Sequence, residues 1–425
     1  MYEGTRFRPR RDGMAGADGS NPLLLEVAML RIALAFAIVT LLVGSRGWAE
    51  EPQPAGADAA VRGLVKGNAS FALDLYARLR GASGNLFVSP FSVSTALTMT
   101  YGGARGTTAE QMAATLKLPQ PGAPAHDAFA ALLAGSRVAA GLRVANGLFG
   151  GKGAGFQAEF LDLLRTRYAA RLEEVDFSGD SEGARRIINE WVGTETAGRI
   201  PELLRQGDLT PATTLVLANA IHFKAAWAGP FDPALTRPAA FTLASGEQVQ
   251  VPMMGRTGAC RTGEEAGTAL LELPYAEGAR SMLFLVPAAH DGLAALEAAL
   301  TADALDRWLK RMYDDERQVH VPRFKVDCRF ELGGVLQELG MKDAFGAGAD
   351  FSGMTGKPDL FIGRIVHQAV VEVNEEGTEA AAATAVAMER GAPPPPIRLD
   401  RPFLFLIRDT RTGALLFLGR VADPR

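Results

Sequence analysis

The chain is 425 residues long, with a formal net charge of −4, 48% apolar and 22% charged residues. That is a globular composition, long enough for two ordinary domains or one large one, and not that of a disordered or collagenous protein. The mild acidity argues against nucleic acid as a partner, and two cysteines, Cys260 and Cys328, are too few for a disulfide framework.

The first feature along the chain is a targeting segment. A basic cluster, Arg6, Arg8, Arg10 and Arg11, precedes it. Met29-Leu30-Arg31 opens it, Ile32 to Val43 is apolar except for Thr40, and Gly47-Trp48-Ala49 places small residues where a signal peptidase reads. Cleavage is expected after Ala49, with Met29 an alternative start and residues 1–28 an upstream extension. A membrane anchor is the competing reading, but the run falls short of the ~20 residues a span needs. Residues 1–49 are therefore read as extension and signal peptide, 50–58 as a flexible lead-in, and 59–425 as a single domain undivided by any shift in composition. The mature protein is expected to be soluble, monomeric and exported, either extracellular or periplasmic, with no membrane association after cleavage.

Val61, Leu64, Val65, Phe71, Leu75, Tyr76 and Leu79 recur mostly at three and four, an amphipathic helix closed by Gly81. Asn85 to Val88 reads as a short strand running into a helix with Pro90 in its first turn. Ser89 and Ser92 sit at that junction among apolar neighbours, so their hydroxyls need partners if buried. Thr107-Thr108-Ala109-Glu110 looks like a capping box. Leu142 to Phe149 alternates as a strand, and Glu182 to Gly198 is helical, with Ile187, Ile188, Trp191 and Val192 on one face. Thr213 to Phe223 is a long apolar strand containing Asn219, which demands a specific partner inside a central strand.

Strands dominate from about 238 to 288, Asp291 to Leu309 reads as one helix, Val319 to Phe324 as a strand and Val335 to Leu339 as a helix. Leu360 to Asn374 is a strand carrying His367, and Phe403 to Ile407 with Ala414 to Leu418 form a hairpin. The mixture has neither regular βαβ alternation nor a repeat, which gives α+β.

No nucleophile elbow, phosphate loop or zinc-protease motif occurs, and the five histidines lack metal-ligand spacing. No metal and no cofactor are expected. A triad built on Ser89 or Ser92 with His367 is the nearest enzyme hypothesis. Buried hydroxyls and an imidazole satisfying one another is the plainer reading.

The stretch Glu375-Glu376-Gly377-Thr378-Glu379, followed by Ala380, Ala381, Ala382, Ala383 and Thr384, supports two local structures. Its alanines favour helix. By alternation, Thr378, Ala380, Ala382 and Thr384 would also line one small, uncharged face of a strand, with Glu379 on the other. The segment ends at Glu389-Arg390-Gly391-Ala392 and then Pro393 to Pro396. A conformational switch on a loop and an alanine-rich helix before a proline linker both fit.

In order and spacing, several stretches together resemble the serpins, from about residue 60 to 425. They are Asn85 to Met112, Leu217 to Lys224 with Trp227, Leu336 to Met341, Phe351 to Met354 and Pro402 to Ile407. The resemblance implies an inhibitory, prokaryotic-type member. It implies an α+β fold with three β-sheets, about eight or nine helices and an exposed reactive-centre loop at about 375–397. It also implies suicide inhibition of an elastase-, subtilisin- or trypsin-like serine protease, the cleaved loop entering the central sheet. A non-inhibitory serpin acting as a binding or chaperone-like protein is the alternative.

Carried over by position, Glu375 to Ala383 form the hinge, and Ser89, Ser92, Asn219 and His367 a latch beneath the sheet. Trp227 covers the place where insertion begins. Arg323 either pairs with Glu375 or is a solvated surface arginine. The family's counting puts the scissile bond between Gly391 and Ala392; Arg390-Gly391 is the alternative and would suit a trypsin-like pocket.

Overall fold

The computed structural model describes residues 59–137, 142–170, 172–377 and 394–425. The proposed signal peptide and lead-in lie outside them. The described helices are α1 (Ala59–Leu79), α2 (Pro90–Tyr101), α3 (Gly106–Thr115), α4 (Ala123–Arg137), α5 (Ala158–Leu163), α6 (Ser181–Glu195), α7 (Leu293–Ala299), α8 (Ala302–Arg311), α9 (Gly333–Glu338) and α10 (Ser352–Thr355), with a π-helical turn at Leu164–Tyr168. The strands are β1 (Leu86–Val88), β2 (Leu142–Gly151), β3 (Leu172–Val175), β4 (Leu215–Phe223), β5 (Arg237–Thr242), β6 (Gln248–Glu265), β7 (Thr268–Pro274), β8 (Arg280–Pro287), β9 (Tyr313–Pro322), β10 (Phe324–Glu331), β11 (Ile362–Val373), β12 (Ile397–Arg398), β13 (Phe403–Asp409) and β14 (Leu415–Val421). The α+β expectation is met.

The strands form two sheets among the described residues, not three. One has five strands in the order β10-β11-β4-β2-β3; the other has nine, β1-β14-β13-β8-β7-β6-β9-β12, with β5 paired to β6. The cause is β6. It pairs with β5 over Gln248 to Met253, with β9 over Met253 to Thr262 and with β7 over Arg261 to Glu265, so one unbroken strand belongs to both would-be sheets.

Ten α-helices occur among the described residues, more than the eight or nine expected. One extra comes from the stretch read as continuous from Asp291 to Leu309. Leu300 is extended (ψ 98°) and the Thr301 hydroxyl accepts from Ala304 N, starting a second helix. The capping box at Thr107 does not form, because α3 begins at Gly106 with no side-chain cap. Its threonines are engaged elsewhere: Thr107 Oγ1 donates to Asp343 at 2.9 Å, and Thr108 Oγ1 accepts from Asp350 N at 2.9 Å.

The five-stranded sheet is buried on both faces where α6 crosses it. On β4, Val216, Ala218 and Ala220 join Ile188 and Val192 of α6, while Leu215, Leu217 and Ile221 face the main core. Ile188 and Val192 are fully buried; each contributes about 2 kcal/mol of apolar burial. Such two-sided burial explains why β4 reads as a continuous apolar run, and it puts Asn219 on the main-core face by alternation.

Candidate functional site

Within the five-stranded sheet, β11 pairs with β10 antiparallel and with β4 parallel, in a register that sets His367 opposite Asn219. Strand β4 in turn pairs with β2 antiparallel, setting Asn219 opposite Asn146. Three polar side chains thus form a row across three adjacent strands. The N-terminus of α2 meets that row because Ser89, directly after β1, is extended (φ −106°, ψ 91°) and caps the helix that Pro90 begins.

The hydrogen bonds there close a single network. Ser89 donates its backbone N–H to His367 Nε2 at 3.0 Å. Nε2 must therefore be the acceptor, and Nδ1 carries the proton it donates to Asn219 Oδ1. The Asn219 amide donates to Ser92 Oγ at 2.7 Å and to Asn146 Oδ1. Ser92 Oγ donates to Asn146 Oδ1 at 2.9 Å, and Ser89 Oγ to Leu416 O at 2.8 Å. Ser89, Ser92, Asn219 and His367 have no exposed surface. Burial lowers His367 from its ordinary value of 6.5 to about 3, so the ring is neutral, as its acceptor role requires. Neither serine hydroxyl bonds to the imidazole, and the hydrolase arrangement is not assembled. Asn146 completes the row without having been singled out in the sequence, where its only trace is a polar residue in an alternating strand.

A second cluster lies where β11 ends. Chain distance separates the two: His367 to Glu375 is about 26 Å at ~3.3 Å per residue. Segment 225–231 clamps the outgoing chain, with Trp227 Nε1 donating to Asn374 O at 3.0 Å, Trp227 N to Glu376 O at 3.3 Å and Phe231 N to Glu375 O at 2.9 Å. Trp227 is buried and stacks on Tyr275, with ring centroids 4.7 Å apart. Gly377 has φ +65°, and a Cβ there would lie 2.2 Å from Trp227 N, so both conformation and space require glycine.

Arg323 and Glu375 form an ion pair. Arg323 Nε contacts both carboxylate oxygens at 2.7 Å, Nη2 reaches Oε1 at 2.6 Å, and the Thr236 hydroxyl also donates to Oε1. The side chain of Glu375 is 4% exposed and that of Arg323 46%. Burial alone would raise the Glu375 carboxyl; the hydrogen bonds from Arg323 and Thr236 outweigh it and hold it below its ordinary range. The structure thus selects the paired reading of Arg323. Thr236 carried no signal in the sequence.

Thr378, Glu379, Ala380, Ala381, Ala382, Ala383, Arg390, Gly391 and Ala392 lie outside the described residues. On the far side Arg317 Nη1 donates to Pro395 O at 3.2 Å, and β12 joins β9 in parallel. Cys260 and Cys328 are free thiols, the first buried.

A family model described as serpin (serine protease inhibitor) matches residues 66–424. Human plasminogen activator inhibitor 2 is 37% identical over 413 residues, covering 85% of this chain and 99% of that one. Leukocyte elastase inhibitor from Bos taurus is 41% identical over 376 residues, with the same coverage of 85% and 99%. Among solved structures, uncleaved ovalbumin matches with a TM-score of 0.78 at 29% identity, covering 85% of this chain and all of its own.

Proposed function

The chain is a serpin, and from that premise we propose that it is a secreted suicide-substrate inhibitor of serine proteases. Membership makes it a protein of an inhibitor family and not an enzyme. The relatives' names specify plasminogen activator and leukocyte elastase as their targets; for this chain we infer a serine protease with an elastase-, subtilisin- or trypsin-like pocket.

One observation carries the reading: the seam between β11 and β4 is parallel and borders the strand that leads into the hinge. A segment folding back along β11 at that seam runs antiparallel to both neighbours. One parallel ladder is thereby replaced by two antiparallel ones, and antiparallel pairing is slightly stronger per residue. Gly377 to Arg390 reaches about 45 Å at ~3.3 Å per residue, against about 30 Å for β4. The alternating face of Thr378, Ala380, Ala382 and Thr384 offers only small groups to a core packed at near-crystal density.

In the proposed cycle the protease serine attacks the Gly391 carbonyl, the Gly391–Ala392 bond breaks, and Ala392 leaves as a free amine. Gly391 remains esterified to the protease. Insertion from the hinge carries that ester away before water can hydrolyse it. To enter, the segment must part His367 from Asn219, so the buried row acts as the latch. Trp227, Arg323 and Glu375 hold the place where entry begins. The apolar run Ile32 to Val43, followed by small residues at Gly47 and Ala49, supports export by signal peptide.

Incubation with elastase-, subtilisin- and trypsin-like enzymes tests the proposal. A complex that survives SDS is expected, with a released peptide beginning at Ala392, or at Gly391 if the trypsin-like register holds. Clean cleavage without complex across the panel would contradict inhibition and favour a non-inhibitory binding role.

A further inference from the structure

A cavity of about 300 Å³ lies among the end of α2, the start of α4 and the turn after α5, and the proposed inhibitory cycle does not use it. Tyr101, Arg105, His126, Leu163 and Arg167 line it. The His126 residue is only 5% exposed. Its Nδ1 lies 2.6 Å from Tyr168 Oη, while Nε2 has no hydrogen-bond partner among the described residues. Burial pushes the Tyr168 hydroxyl up, so it stays protonated and has a proton to give to Nδ1. In that tautomer the other nitrogen is an N–H in a wall of the cavity. Burial also lowers His126 itself to about 4, so the ring is neutral near pH 7.

Other donors share this wall. Tyr101 Oη accepts from Gly122 N at 2.9 Å, which leaves its own proton to give. Arg105 spends Nη1 on the carbonyls of Gly102 and Ala104, at 3.2 and 2.7 Å, and keeps its remaining N–H groups. Arg167 pairs at 2.7 Å with Asp127, which also lines the cavity; Arg105 forms no salt bridge among the described residues, though its charge also acts on the Asp350 carboxylate. Alongside these donors are flat apolar surfaces: the Tyr101 and His126 rings stack at 5.8 Å, and Leu163 adds an aliphatic side chain.

We propose that this cavity binds a small aromatic carboxylate, its acid group on Arg105, Tyr101 Oη–H and His126 Nε2–H and its ring against Tyr101 and Leu163. A space of this volume sits at the lower end of small-molecule sites and suits a single-ring acid. Such a group uses the Arg105 cation and the leftover donors at once, which a neutral or cationic ligand cannot do.

Calorimetric titration of the full chain with benzoate, and with the uncharged isostere benzamide, tests the site. Saturable one-to-one binding of benzoate is expected, with benzamide at least tenfold weaker. Arg105→Ala removes a largely exposed side chain and should weaken benzoate at least tenfold without lowering the melting temperature. His126→Phe keeps a ring of similar size and should weaken it similarly; if that variant unfolds, Arg105→Ala decides. Heats that never saturate, equal affinity for benzamide, or an affinity unchanged in Arg105→Ala would overturn the proposal. None of these outcomes depends on whether the chain traps a protease.

Discussion

His367 is fixed as a neutral ring because its two nitrogens act in opposite senses, one accepting from Ser89 N and the other donating to Asn219. That fixes the sign of a pH effect. Between its folded value of about 3 and the ordinary 6.5, the unfolded chain holds one proton more than the folded chain at this residue. The stability it confers is therefore complete above about pH 6.5 and is lost as pH falls, with a limiting slope of about 1.4 kcal/mol per pH unit. His126, lowered to about 4, adds a loss of the same sign over its own window. His367→Gln should cost about 1–3 kcal/mol at neutral pH by leaving partners unsatisfied. Its decline from about pH 6 to about pH 4.5 should be shallower than the parent's by roughly one proton's worth, measured as urea midpoints. An equally steep decline would show that the residue does not titrate this way.

At the hinge, Arg323→Ala would strand a Glu375 carboxylate that is almost wholly buried. The cost should be about 1–3 kcal/mol, below that of a fully buried pair because Arg323 is half exposed; a melting temperature equal to the parent's would contradict this. These residues differ in how plainly the sequence announces them. Ser89, Ser92, Asn219 and His367 stand out as polar groups in apolar runs, and burial there has few physical solutions. Asn146 hides in a strand whose alternation already explains a polar residue, and Thr236 is one hydroxyl among many. Only the register of three strands makes Asn146 a partner of the row.

At the scale of elements, the sequence patterns locate most strands and helices but not their junctions. The break at Leu300 rests on one extended residue and one threonine cap, which a periodic apolar pattern does not reveal. The merging of two sheets through β6 is a long-range pairing with no local signal. The proposed new strand is likewise a matter of pairing: its sequence permits helix or strand, and the parallel β11/β4 seam supplies the reason for the second. A charge on its inward face would have to be desolvated at several kcal/mol, enough to slow insertion relative to hydrolysis of the ester. Thr378→Arg should therefore turn the proposed inhibitor into a substrate, read as cleaved chain in place of complex on SDS gels. An unchanged yield of complex would refute the assignment of Thr378 to the inward face.

For the whole molecule, the proposal assigns the active form a sheet that is one strand short of its most stable arrangement. Cleavage at Gly391–Ala392 should then raise the melting temperature well above that of the intact chain; an unchanged or lower value would favour a non-inhibitory member. The most direct test is the crystal structure of the loop-cleaved protein. The account predicts residues from Thr378 onward as a strand between β11 and β4, antiparallel to both, with His367 parted from Asn219. A cleaved chain in which β11 and β4 remain paired, His367 still opposite Asn219, would contradict it.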